Sequence, residues 1–573
     1  MALWIQKKPL AEVQNKSAIP DMVWSFLSLR IQSEDHLQKI LQPKLSDLQD
    51  PLSILNMDKA VSRLLESFQI QEKICIYADF DLDGTSGLAI LKTGLSRLGY
   101  NNVLFYQPKR LSEGYGFHPA AVVDLYEQGV RLIITVDVGI TSFAAFDKAN
   151  ELDLDVILTD HHLPISDKSN EKLPNAFCIV NPNQKNCKSD LKYLCGAGVA
   201  FYLLRALMSQ MQKNNLLKSN FDLKEVLDFF CIGTITDMVP LIDDNRVLVK
   251  HGMIALQNTN KPGLRELLDN LGLLGRDLTS QDVAIKFAPK LNALSRMESE
   301  ILPRDIYLEQ DTVSAKNMIQ RILKNNETRQ NLQHSAVETA ELALLTWAEK
   351  DFNFIFSKTF HRGVIGLIAT KIANDTNRPT FIGSLDEDGM IVGSSRLPAG
   401  SHGNLVDALA SAEKLLNRFG GHAAAAGFEL PLSATDQFTK CLMQHYFQLA
   451  QAPVEVHLVY DAIVQSDELN QSAMKWYNFT GPYGVGFPVP LFRLNEVELL
   501  SYKEIKGGHV KITAQNKNSN KPIDILYFSP VEAKKNILKV GLKYDFLGEI
   551  QTNYFRKTES IQFLAKDFEL HAE

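Results

Sequence analysis

Cysteine is scarce in this chain, and its six cysteines are scattered along the sequence. None of them forms a Cys-x-x-Cys pair. A chain without that spacing is a poor candidate for a zinc site or for a disulfide framework. We therefore expect reduced thiols that are mainly structural.

Long apolar runs and a large excess of one charge are also missing. No stretch approaches the roughly 18 to 20 apolar residues that span a bilayer, and Met1 to Lys8 lacks the apolar segment of a signal peptide. We therefore expect a cytoplasmic protein. The 60 Lys and Arg residues face 67 Asp and Glu residues, and the net charge is -7. This balance argues against indiscriminate binding to polyanions, so any contact with nucleic acid must be local.

The apolar pattern predicts several domains of an α/β protein. The 573 residues are too many for one hydrophobic core. Between about residues 74 and 183, short apolar runs alternate with helical stretches, which is typical of a parallel sheet with crossover helices. No Pro or Gly interrupts Ser314 to Leu345, so we expect a connecting helix there. The last section, from about Val454, contains short strands and predicts a small barrel or sandwich.

Three aspartates follow the first apolar run at every second position. The run Ile74 to Tyr77 reads as a buried strand, and a helix is predicted from Thr85 onward. Asp79, Asp81 and Asp83 therefore crowd one strand-to-helix turn. Carboxylates that lie so near one another resist being ionised together unless a cation compensates their negative charge. A solvated acidic turn is the alternative.

Further acidic and imidazole groups lie at other strand or loop ends: Asp137, Asp160, His161, His162 and Asp237. Each of them alone has an ordinary explanation, and Asp137 can also be read as the cap of the helix that follows it. The combination is different, because carboxylates and imidazole suit Mn²⁺ or Mg²⁺. Two such ions roughly 3.5 to 4 Å apart can clamp a phosphate and generate hydroxide.

Four motifs occur in order and resemble those of the DHH phosphoesterase superfamily: Asp-Phe-Asp-Leu-Asp-Gly, Val-Asp-Val-Gly, Asp-His-His and Thr-Asp-Met-Val-Pro-Leu. Within it, the chain is similar to bacterial exonucleases specific for single strands, through Pro108-Lys-Arg-Leu-Ser-Glu-Gly-Tyr-Gly116, Leu194-Cys-Gly-Ala-Gly-Val199, Asn245-Arg-Val-Leu248 and Pro289-Lys-Leu-Asn-Ala293. The likeness runs from about residue 50 to the C-terminus.

The resemblance implies a ligand set for the metal ions: Asp81, Asp83, Asp137, His161 and Asp237. Asp79 is a further metal ligand or a carboxylate that supports one. His162 is implied as a catalytic residue that touches the substrate. A metal-bound imidazole needs an orienting partner, and Asp160 is expected to orient His161.

The resemblance also implies a second lobe of the DHHA1 type, with Gly420 to Gly427 as its glycine-rich signature. A tightly packed helix through Ala423 to Ala426 is the alternative. Candidate phosphate-binding or DNA-binding residues are Arg110, Arg296, Arg362, Ser394, Ser395, Arg396 and His422. Arg110 can instead be a surface charge. Relatives often carry Arg and Gly where this chain has Lys290 and Ser295, which bears on the role of Arg296.

Five segments are implied in this way. They are an N-terminal helical segment (1–50), a DHH catalytic domain (51–313), a connecting helix (314–347), a DHHA1 domain (348–450) and an OB-fold single-strand-binding domain (451–573). OB-folds bind single strands by stacking and charge. Candidate contacts in this last domain are Tyr483, Phe487, Lys503, Lys506, His509 and Lys511, and core packing is the alternative for the aromatic residues.

The activity implied is a 5′ to 3′ exonuclease on single-stranded DNA that uses two Mn²⁺ or Mg²⁺ ions and releases 5′-mononucleotides. Two alternatives remain: a phosphodiesterase of short oligonucleotides or cyclic dinucleotides, and a non-catalytic DNA-binding scaffold. The resemblance further implies a role in recombination and repair, beside a helicase and a single-strand-binding protein. We expect a monomer.

Overall fold

The structure is a computed structural model. It describes the chain except residues 1–2, 9–12, 16–17, 168–169, 218–219, 298, 348–350, 402, 446–456, 517–520, 529–531, 556–557 and 572–573. The predicted domain boundaries at 348 and at 450/451 lie outside the described residues. Two compact units are present. The first unit contains residues 1–49, 238–251 and 455–573, and the second unit contains residues 50–237 and 252–454.

The helices are α1 Asp21–Leu27, α2 Glu34–Leu41, α3 Met57–Ile70, α4 Leu82–Leu98, α5 Pro119–Glu127, α6 Phe143–Glu151, α7 Gly196–Lys213, α8 Leu227–Thr236, α9 Asp243–Gln257, α10 Pro262–Asn270, α11 Ala288–Arg296, α12 Pro303–Leu308, α13 Thr312–Leu344, α14 Ile365–Thr376, α15 Leu405–Ser411, α16 Thr435–His445, α17 Gln471–Phe479 and α18 Glu532–Lys535. No helix in the described ranges is both long enough and apolar enough to cross a membrane.

The strands are β1 Leu3–Gln6, β2 Ile74–Ala78, β3 Val103–Tyr106, β4 Leu132–Val136, β5 Asp155–Thr159, β6 Ile165–Asp167, β7 Asn170–Lys172, β8 Cys178–Val180, β9 Asn353–Ser357, β10 Thr380–Leu385, β11 Met390–Arg396, β12 Arg418–His422, β13 Ala425–Pro431, β14 His457–Tyr460, β15 Ala462–Val464, β16 Phe492–Ile505, β17 His509–Asn516, β18 Ile523–Tyr527, β19 Lys543–Phe555 and β20 Thr558–Leu570.

The second unit contains the predicted parallel sheet, in the order β3-β2-β4-β5-β8. Every residue of β2 and β4 is buried, as expected for strands that helices cover on both faces. The carboxyl ends of parallel strands meet at one edge of the sheet. That edge therefore carries Asp79 after β2, Asp137 after β4 and Asp160 after β5.

A second sheet in the same unit has the order β12-β13-β11-β10-β9. Strands β9 and β10 are parallel, whereas the other pairs are antiparallel. The glycine-rich stretch Gly420 to Gly427 belongs to the hairpin of β12 and β13, so the alternative of a packed helix there is wrong. Small residues suit this hairpin, because a Cβ on Gly421 would lie 2.5 Å from the carbonyl oxygen of Ala425.

The first unit is built on a closed β-barrel. Strands β16, β17, β18, β20 and β19 pair in that order, and β19 also pairs with β16. Helices α1, α2 and α17 contribute to the same hydrophobic core. Tyr483 and Phe487 belong to this core, with 9% and 7% of their surface exposed. The expectation that these two rings contact DNA is therefore wrong, and the core alternative holds.

Arg246 is buried in the first unit and binds backbone rather than a carboxylate. Its guanidinium donates to the carbonyl oxygens of Pro482 at 2.8 Å and Gly481 at 3.2 Å, and to that of Thr480. It also stacks on Phe487, with 3.9 Å between the guanidinium carbon and the ring centroid. A planar fork of donors suits this site, and a lysine cannot replace it.

We expect Arg246→Ala to lower the free energy of unfolding of the first unit by about 3 kcal/mol, because buried carbonyls would lose their donors. Thermal and denaturant unfolding measure this loss. Arg246→Lys should recover little of it. Lys39→Ala, which removes an exposed ion pair with Asp35 on α2, should change stability by less than about 0.5 kcal/mol. Equal effects of Arg246→Ala and Lys39→Ala would contradict this assignment.

Candidate metal centre

The turn after β2 holds its aspartates by local backbone geometry. Asp81 is the N-cap of α4, and its Oδ1 accepts hydrogen bonds from the amides of Asp83 at 2.9 Å and Gly84 at 3.0 Å. The chain also closes tightly here, because a Cβ on Gly84 would lie 2.5 Å from the carbonyl oxygen of Asp79. One Asp81 oxygen is thus used in the cap, and the other remains for a ligand.

The buried carboxylate of Asp83 is held by a second helix. Its oxygens accept hydrogen bonds from the amides of Gly196 at 2.6 Å and Ala197 at 2.9 Å, at the start of α7. The positive end of a helix dipole stabilises a negative charge placed in this way. Helix α7 therefore anchors an aspartate that lies 113 residues earlier in the chain.

Asp137 has a left-handed backbone with φ of 62°, which is uncommon for a residue other than glycine. It does not cap the following helix, because the N-cap of α6 is Ser142. A Cβ on Gly196 would lie 2.4 Å from the Asp137 Cβ. The glycine at the start of α7 thus leaves the space that the Asp137 side chain occupies.

His161 lies between three carboxylates. Its Nε2 is 3.1 Å from Asp137 Oδ1, 3.6 Å from Asp237 Oδ2 and 3.9 Å from Asp83 Oδ2. Asp237 reaches the centre from the end of α8. The structure therefore gathers carboxylates from three separate segments around one imidazole.

Asp160 orients a different histidine from the one expected. Its Oδ1 lies 2.7 Å from His162 Nδ1, and it also accepts the backbone amides of His161 and His162. Its Oδ2 accepts the amide of Ile140 at 3.0 Å. The prediction that Asp160 orients the His161 ring is thus wrong, since Asp160 and His162 lie on the same tight turn and their side chains meet first.

Burial and mutual repulsion disfavour the ionised state of the aspartates. Burial, and then the neighbouring Asp81, raise the pKa of Asp79 well above its ordinary value. Burial and four aspartates do the same for the pKa of Asp137. The pKa of Asp237 rises to about 9, mainly through burial and then through Asp83. Such a group of acids needs a cation if all of them are to ionise.

The two histidines differ in charge. Burial lowers the pKa of His161, which favours the neutral imidazole that a metal ion requires. Burial also acts to lower the pKa of His162, but the hydrogen bond and charge of Asp160 outweigh it and raise that pKa to about 9. His162 is therefore the cationic member of the pair in the metal-free protein.

Buried ligand atoms without hydrogen bonds show that these residues suit metal ions. Asp79 Oδ1, Asp137 Oδ1 and His161 Nε2 have no hydrogen-bond partner among the described residues. Three sets of residues each offer ligand atoms that lie within 4.8 Å of the other atoms in the same set. The sets are Asp79, Asp81 and Asp137; Asp83, His161 and Asp237; and Asp137, His161 and His162. Since Asp137 contacts His161 of the second set, one carboxylate lies between two adjacent positions, as a two-ion centre requires.

The metal-free protein is expected to lose stability as pH rises from about 4 to about 9. The pKa of Asp237 is about 9 in the fold against 3.8 as its ordinary value, so unfolding releases a proton across this range. Mn²⁺ binds the ionised carboxylates, and it should therefore raise Tm more at about pH 8 than at about pH 6. Thermal unfolding with chelator or Mn²⁺ at both pH values measures the difference. A Tm gain that is the same at both would contradict the assignment.

Two of the expected phosphate-binding side chains meet on β11. Arg396 Nη1 donates to Ser394 Oγ at 2.8 Å, and both side chains are half-buried. Ser395 points the other way, is fully buried and donates to the carbonyl oxygen of Ala426 at 3.1 Å. Alternate residues of a strand face opposite sides of the sheet. The prediction that Ser395 contacts phosphate is therefore wrong, and Ser394 is the available hydroxyl.

Arg110 and Arg296 lie near this pair. Arg110 is 5.1 Å from the Phe80 ring centroid, and the charges of Asp79 and Asp81 act on it. Arg296 Nη1 is 3.4 Å from the carbonyl oxygen of Gly363. The structure thus places Arg110 beside the metal centre and Arg296 against the second lobe.

The remaining two candidates differ in position. His422 and Arg396 are both in register with Ala425, on β12 and β11, and so share a face of the sheet about 10 Å apart. Arg362 forms an ion pair with Asp386 at 3.0 Å. This ion pair is partly exposed, and phosphate binding by Arg362 stays a prediction.

Several supporting residues escaped the sequence argument. Gln107 Nε2 donates to the carbonyl oxygen of Asp79 at 2.7 Å and to Thr85 Oγ1 at 2.9 Å, which ties β3 to the metal-binding turn. The Tyr115 hydroxyl is 3.4 Å from His162 Nδ1. Tyr115 and Gly196 both lie in motifs that carried the resemblance, whereas no sequence signal marks Gln107.

This fold and this centre define a phosphoesterase of the DHH type. The family model "DHH family, N-terminal domain" matches residues 73–234, "DHHA1 domain" matches 351–446 and "RecJ OB domain" matches 460–567. The single-stranded-DNA-specific exonuclease RecJ of Escherichia coli is 30% identical over 533 residues, which are 89% of each chain. The chain belongs to the RecJ family.

Solved structures agree with this assignment. RecJ from Thermus thermophilus in complex with Mn²⁺ has a TM-score of 0.77 at 26% identity, covering 100% of this chain and 80% of that one. Its complex with Mg²⁺ has a TM-score of 0.70 at 24% identity, covering 100% and 79%. The predicted fold class and family are confirmed, and the two ions expected from the sequence are those bound in these relatives.

Proposed function

We infer that this protein is a divalent-metal-dependent exonuclease that degrades single-stranded DNA. One observation carries this inference. Two sets of ligand residues meet at Asp137, and three of their atoms are buried without a hydrogen-bond partner among the described residues, in a chain that belongs to a family of single-stranded-DNA-specific exonucleases. We also propose 5′ to 3′ polarity, 5′-mononucleotide products and a role in DNA recombination and repair.

We propose that Asp79, Asp81 and Asp137 hold one ion and that Asp83, His161 and Asp237 hold the other. When bound, two Mn²⁺ or Mg²⁺ ions supply a hydroxide at neutral pH and neutralise charge on the phosphate. The protein keeps the ligands in place through the amides of α7 and the cap of α4. Gly84 and Gly196 make the close approach of these segments possible.

His162 is proposed to donate a hydrogen bond to the scissile phosphate. Its Nδ1 faces Asp160 at 2.7 Å, so Nε2 remains as a donor. A cationic donor directed at a phosphate oxygen stabilises the charge that develops during hydrolysis. Asp160 has the supporting role, because it sets both the orientation and the charge of this imidazole.

Arg110, Ser394 and Arg396 are proposed to hold the terminal 5′-phosphate, and Arg296 and His422 to contact neighbouring phosphates. Arginine forks suit phosphate oxygens, and Ser394 already orients the Arg396 fork. A terminal phosphate held beside the metal centre would set the 5′ to 3′ polarity.

We propose that the barrel binds single-stranded DNA through Lys503, Lys506, His509 or Lys511 rather than through the buried Tyr483 and Phe487. We also propose the division into five segments and a monomeric state. From the DNA-processing activity of the relatives, we propose that the protein acts in the cytoplasm, beside a helicase and a single-strand-binding protein.

A digestion experiment tests this function. Fluorescent oligonucleotides that differ in strandedness, labelled end and 5′-phosphate are incubated with Mn²⁺, Mg²⁺ or chelator. We expect mononucleotide release from the 5′ end of single strands only, dependent on the ion. Arg396→Ala should slow cleavage of 5′-phosphorylated strands by about tenfold, the value of one or two charge-assisted hydrogen bonds. Ready digestion of blunt duplex, or preference for dinucleotides, would contradict the proposal.

A further inference from the structure

Gln107 lies at the carboxyl edge of the parallel sheet, next to the turn that carries the three aspartates. It follows β3 directly, and only 6% of its surface is exposed. Tyr106, the last residue of β3, is in parallel register with Tyr77 of β2. Gln107 is therefore level with Ala78, and the turn begins one residue further on, at Asp79. The pairing of these two strands thus brings a buried side-chain amide to the turn.

One nitrogen of this amide joins the two ends of the turn. Gln107 Nε2 donates to the carbonyl oxygen of Asp79 at 2.7 Å, where the chain leaves β2. It also donates at 2.9 Å to Oγ1 of Thr85, which is fully buried in the first turn of α4. A side-chain amide carries two N–H donors, and both of them are used here. A glutamate or an aliphatic side chain of the same size can make neither bond.

Arg304 fixes the direction in which the amide faces. It lies on α12, and its Nη1 is 3.4 Å from Gln107 Oε1. Its guanidinium carbon lies 5.3 Å from the ring centroid of Phe105, two residues before Gln107. A guanidinium donates hydrogen bonds and accepts none, so the amide oxygen must face Arg304. The amide nitrogen then faces the turn, and Arg304 acts on the turn through Gln107.

These contacts bear unequally on the two proposed ion positions. Asp79 belongs to the ligand set with Asp81 and Asp137, and its Oδ1 is buried without a hydrogen-bond partner among the described residues. Asp83 belongs to the other set, and the amides of α7 hold both of its oxygens. Loss of the Gln107 bonds would therefore free the backbone of Asp79 while α7 still holds Asp83.

We propose that Gln107 is a positioning residue for the ion held by Asp79, Asp81 and Asp137, and that Arg304 acts through it. This inference rests on the proposed function, because it uses the ligand sets assigned there. A partner that fixes a metal ligand determines how well the ligand meets the ion, and its loss weakens metal binding. Gln107 should therefore set the affinity of one ion position and leave the other nearly unchanged.

Mn²⁺ binding by the full chain tests this inference without cleavage. The electron paramagnetic resonance signal of free Mn²⁺ is followed during a titration, which gives the number of bound ions and the Kd of each. We expect two sites in the wild-type protein. Gln107→Met keeps the size of the side chain and removes both donors. It should weaken one site by at least about tenfold and leave the other within about twofold.

Arg304→Met should weaken one site by about threefold, since it removes one hydrogen bond from the amide. The double variant Gln107→Met/Arg304→Met should bind Mn²⁺ as Gln107→Met does, because Arg304 has no effect on the turn without the amide. Losses that add up in the double variant would show that Arg304 acts independently and would overturn its assigned role.

Asn353→Leu is the matched control. Asn353 is also a buried amide with two donated bonds, to Thr376 Oγ1 at 2.8 Å and Thr380 Oγ1 at 2.9 Å, but it lies in the second sheet. Asn353→Leu should lower stability and leave both Mn²⁺ sites unchanged. Equal weakening of both sites in Gln107→Met, unchanged Mn²⁺ affinity there, or a similar loss in Asn353→Leu would overturn the inference.

Two further measurements keep the outcome clear. Arg304 is half-buried, so Arg304→Met decides if Gln107→Met does not fold: one weakened site supports the inference, and two unchanged sites overturn it. Digestion of single-stranded DNA by the wild-type protein with Mn²⁺ tests the proposed function separately. If the strand is degraded while Gln107→Met keeps both sites, the inference fails and the function stands. If the wild-type protein is inert while Gln107→Met loses one Mn²⁺ site, the function fails and the inference stands.

Discussion

Asp137→Ala is expected to lower the metal-dependent cleavage rate of single-stranded DNA by more than about 1,000-fold, since a metal centre supplies several kcal/mol of transition-state stabilisation. Asp137 lies between the two ligand sets, and its Oδ1 is only 3.1 Å from His161 Nε2. Its loss would weaken both ion positions together. Strand binding should persist, because the arginines and the barrel remain. Single-turnover cleavage with Mn²⁺ and anisotropy in chelator measure the two effects.

Two controls make this result specific. Asp147→Ala removes an exposed carboxylate from α6, within ten residues of Asp137, and should leave the cleavage rate unchanged. Calorimetric titration with Mn²⁺ should show weaker or fewer sites in Asp137→Ala. If cleavage survives in Asp137→Ala with normal Mn²⁺ binding, the carboxylate is structural and the ligand assignment is wrong. A wild-type protein that is inert with every divalent ion would defeat the catalytic assignment as a whole.

Gly196→Ala is expected to abolish cleavage nearly as completely, although it removes no ligand. The added methyl group would lie 2.4 Å from Asp137 Cβ and 2.8 Å from its Oδ1. Either Asp137 or the start of α7 must move, and the amide that holds Asp83 at 2.6 Å moves with the helix. Overpacking of this kind costs about 1 to 3 kcal/mol of stability. We expect a fall in Mn²⁺ affinity of at least about tenfold, as for the loss of a residue that orients a ligand.

Gly198→Ala on the same helix is the matched control. Its methyl group would approach Leu194 Cβ at 3.1 Å, a tight contact with a side chain outside the metal centre. It should reduce stability mildly and leave Mn²⁺ affinity within about twofold, because no ligand or supporting amide moves. Comparable losses of Mn²⁺ affinity in both variants would show that α7 acts only through overall stability.

The positions of the aspartates show what the local sequence can predict. Short, fully apolar runs specify buried parallel strands, and a carboxylate directly after such a run must lie at the carboxyl edge of the sheet. Asp79, Asp137 and Asp160 were therefore placed correctly by spacing alone. Their chemistry also followed, because carboxylates and imidazole in that number suit Mn²⁺ or Mg²⁺.

The hydrogen-bond partners of these side chains could not be predicted from the sequence. Whether Asp160 orients His161 or His162 depends on the geometry of one turn, and whether Ser394 or Ser395 faces Arg396 depends on the pleat of β11. The sequence names both members of each pair and cannot choose between them. One residue of shift in a strand reverses every side chain on it.

Contacts between distant segments of the chain could not be predicted from the sequence. The sequence by itself determined the fold class, the family motifs and the acidic centre, since these depend on local apolar periodicity and on residue type. Only the tertiary structure decided that α7 amides hold Asp83 and that Gly196 makes room for Asp137. These features join residues far apart in the chain, and their energies arise only when packing removes water from between them.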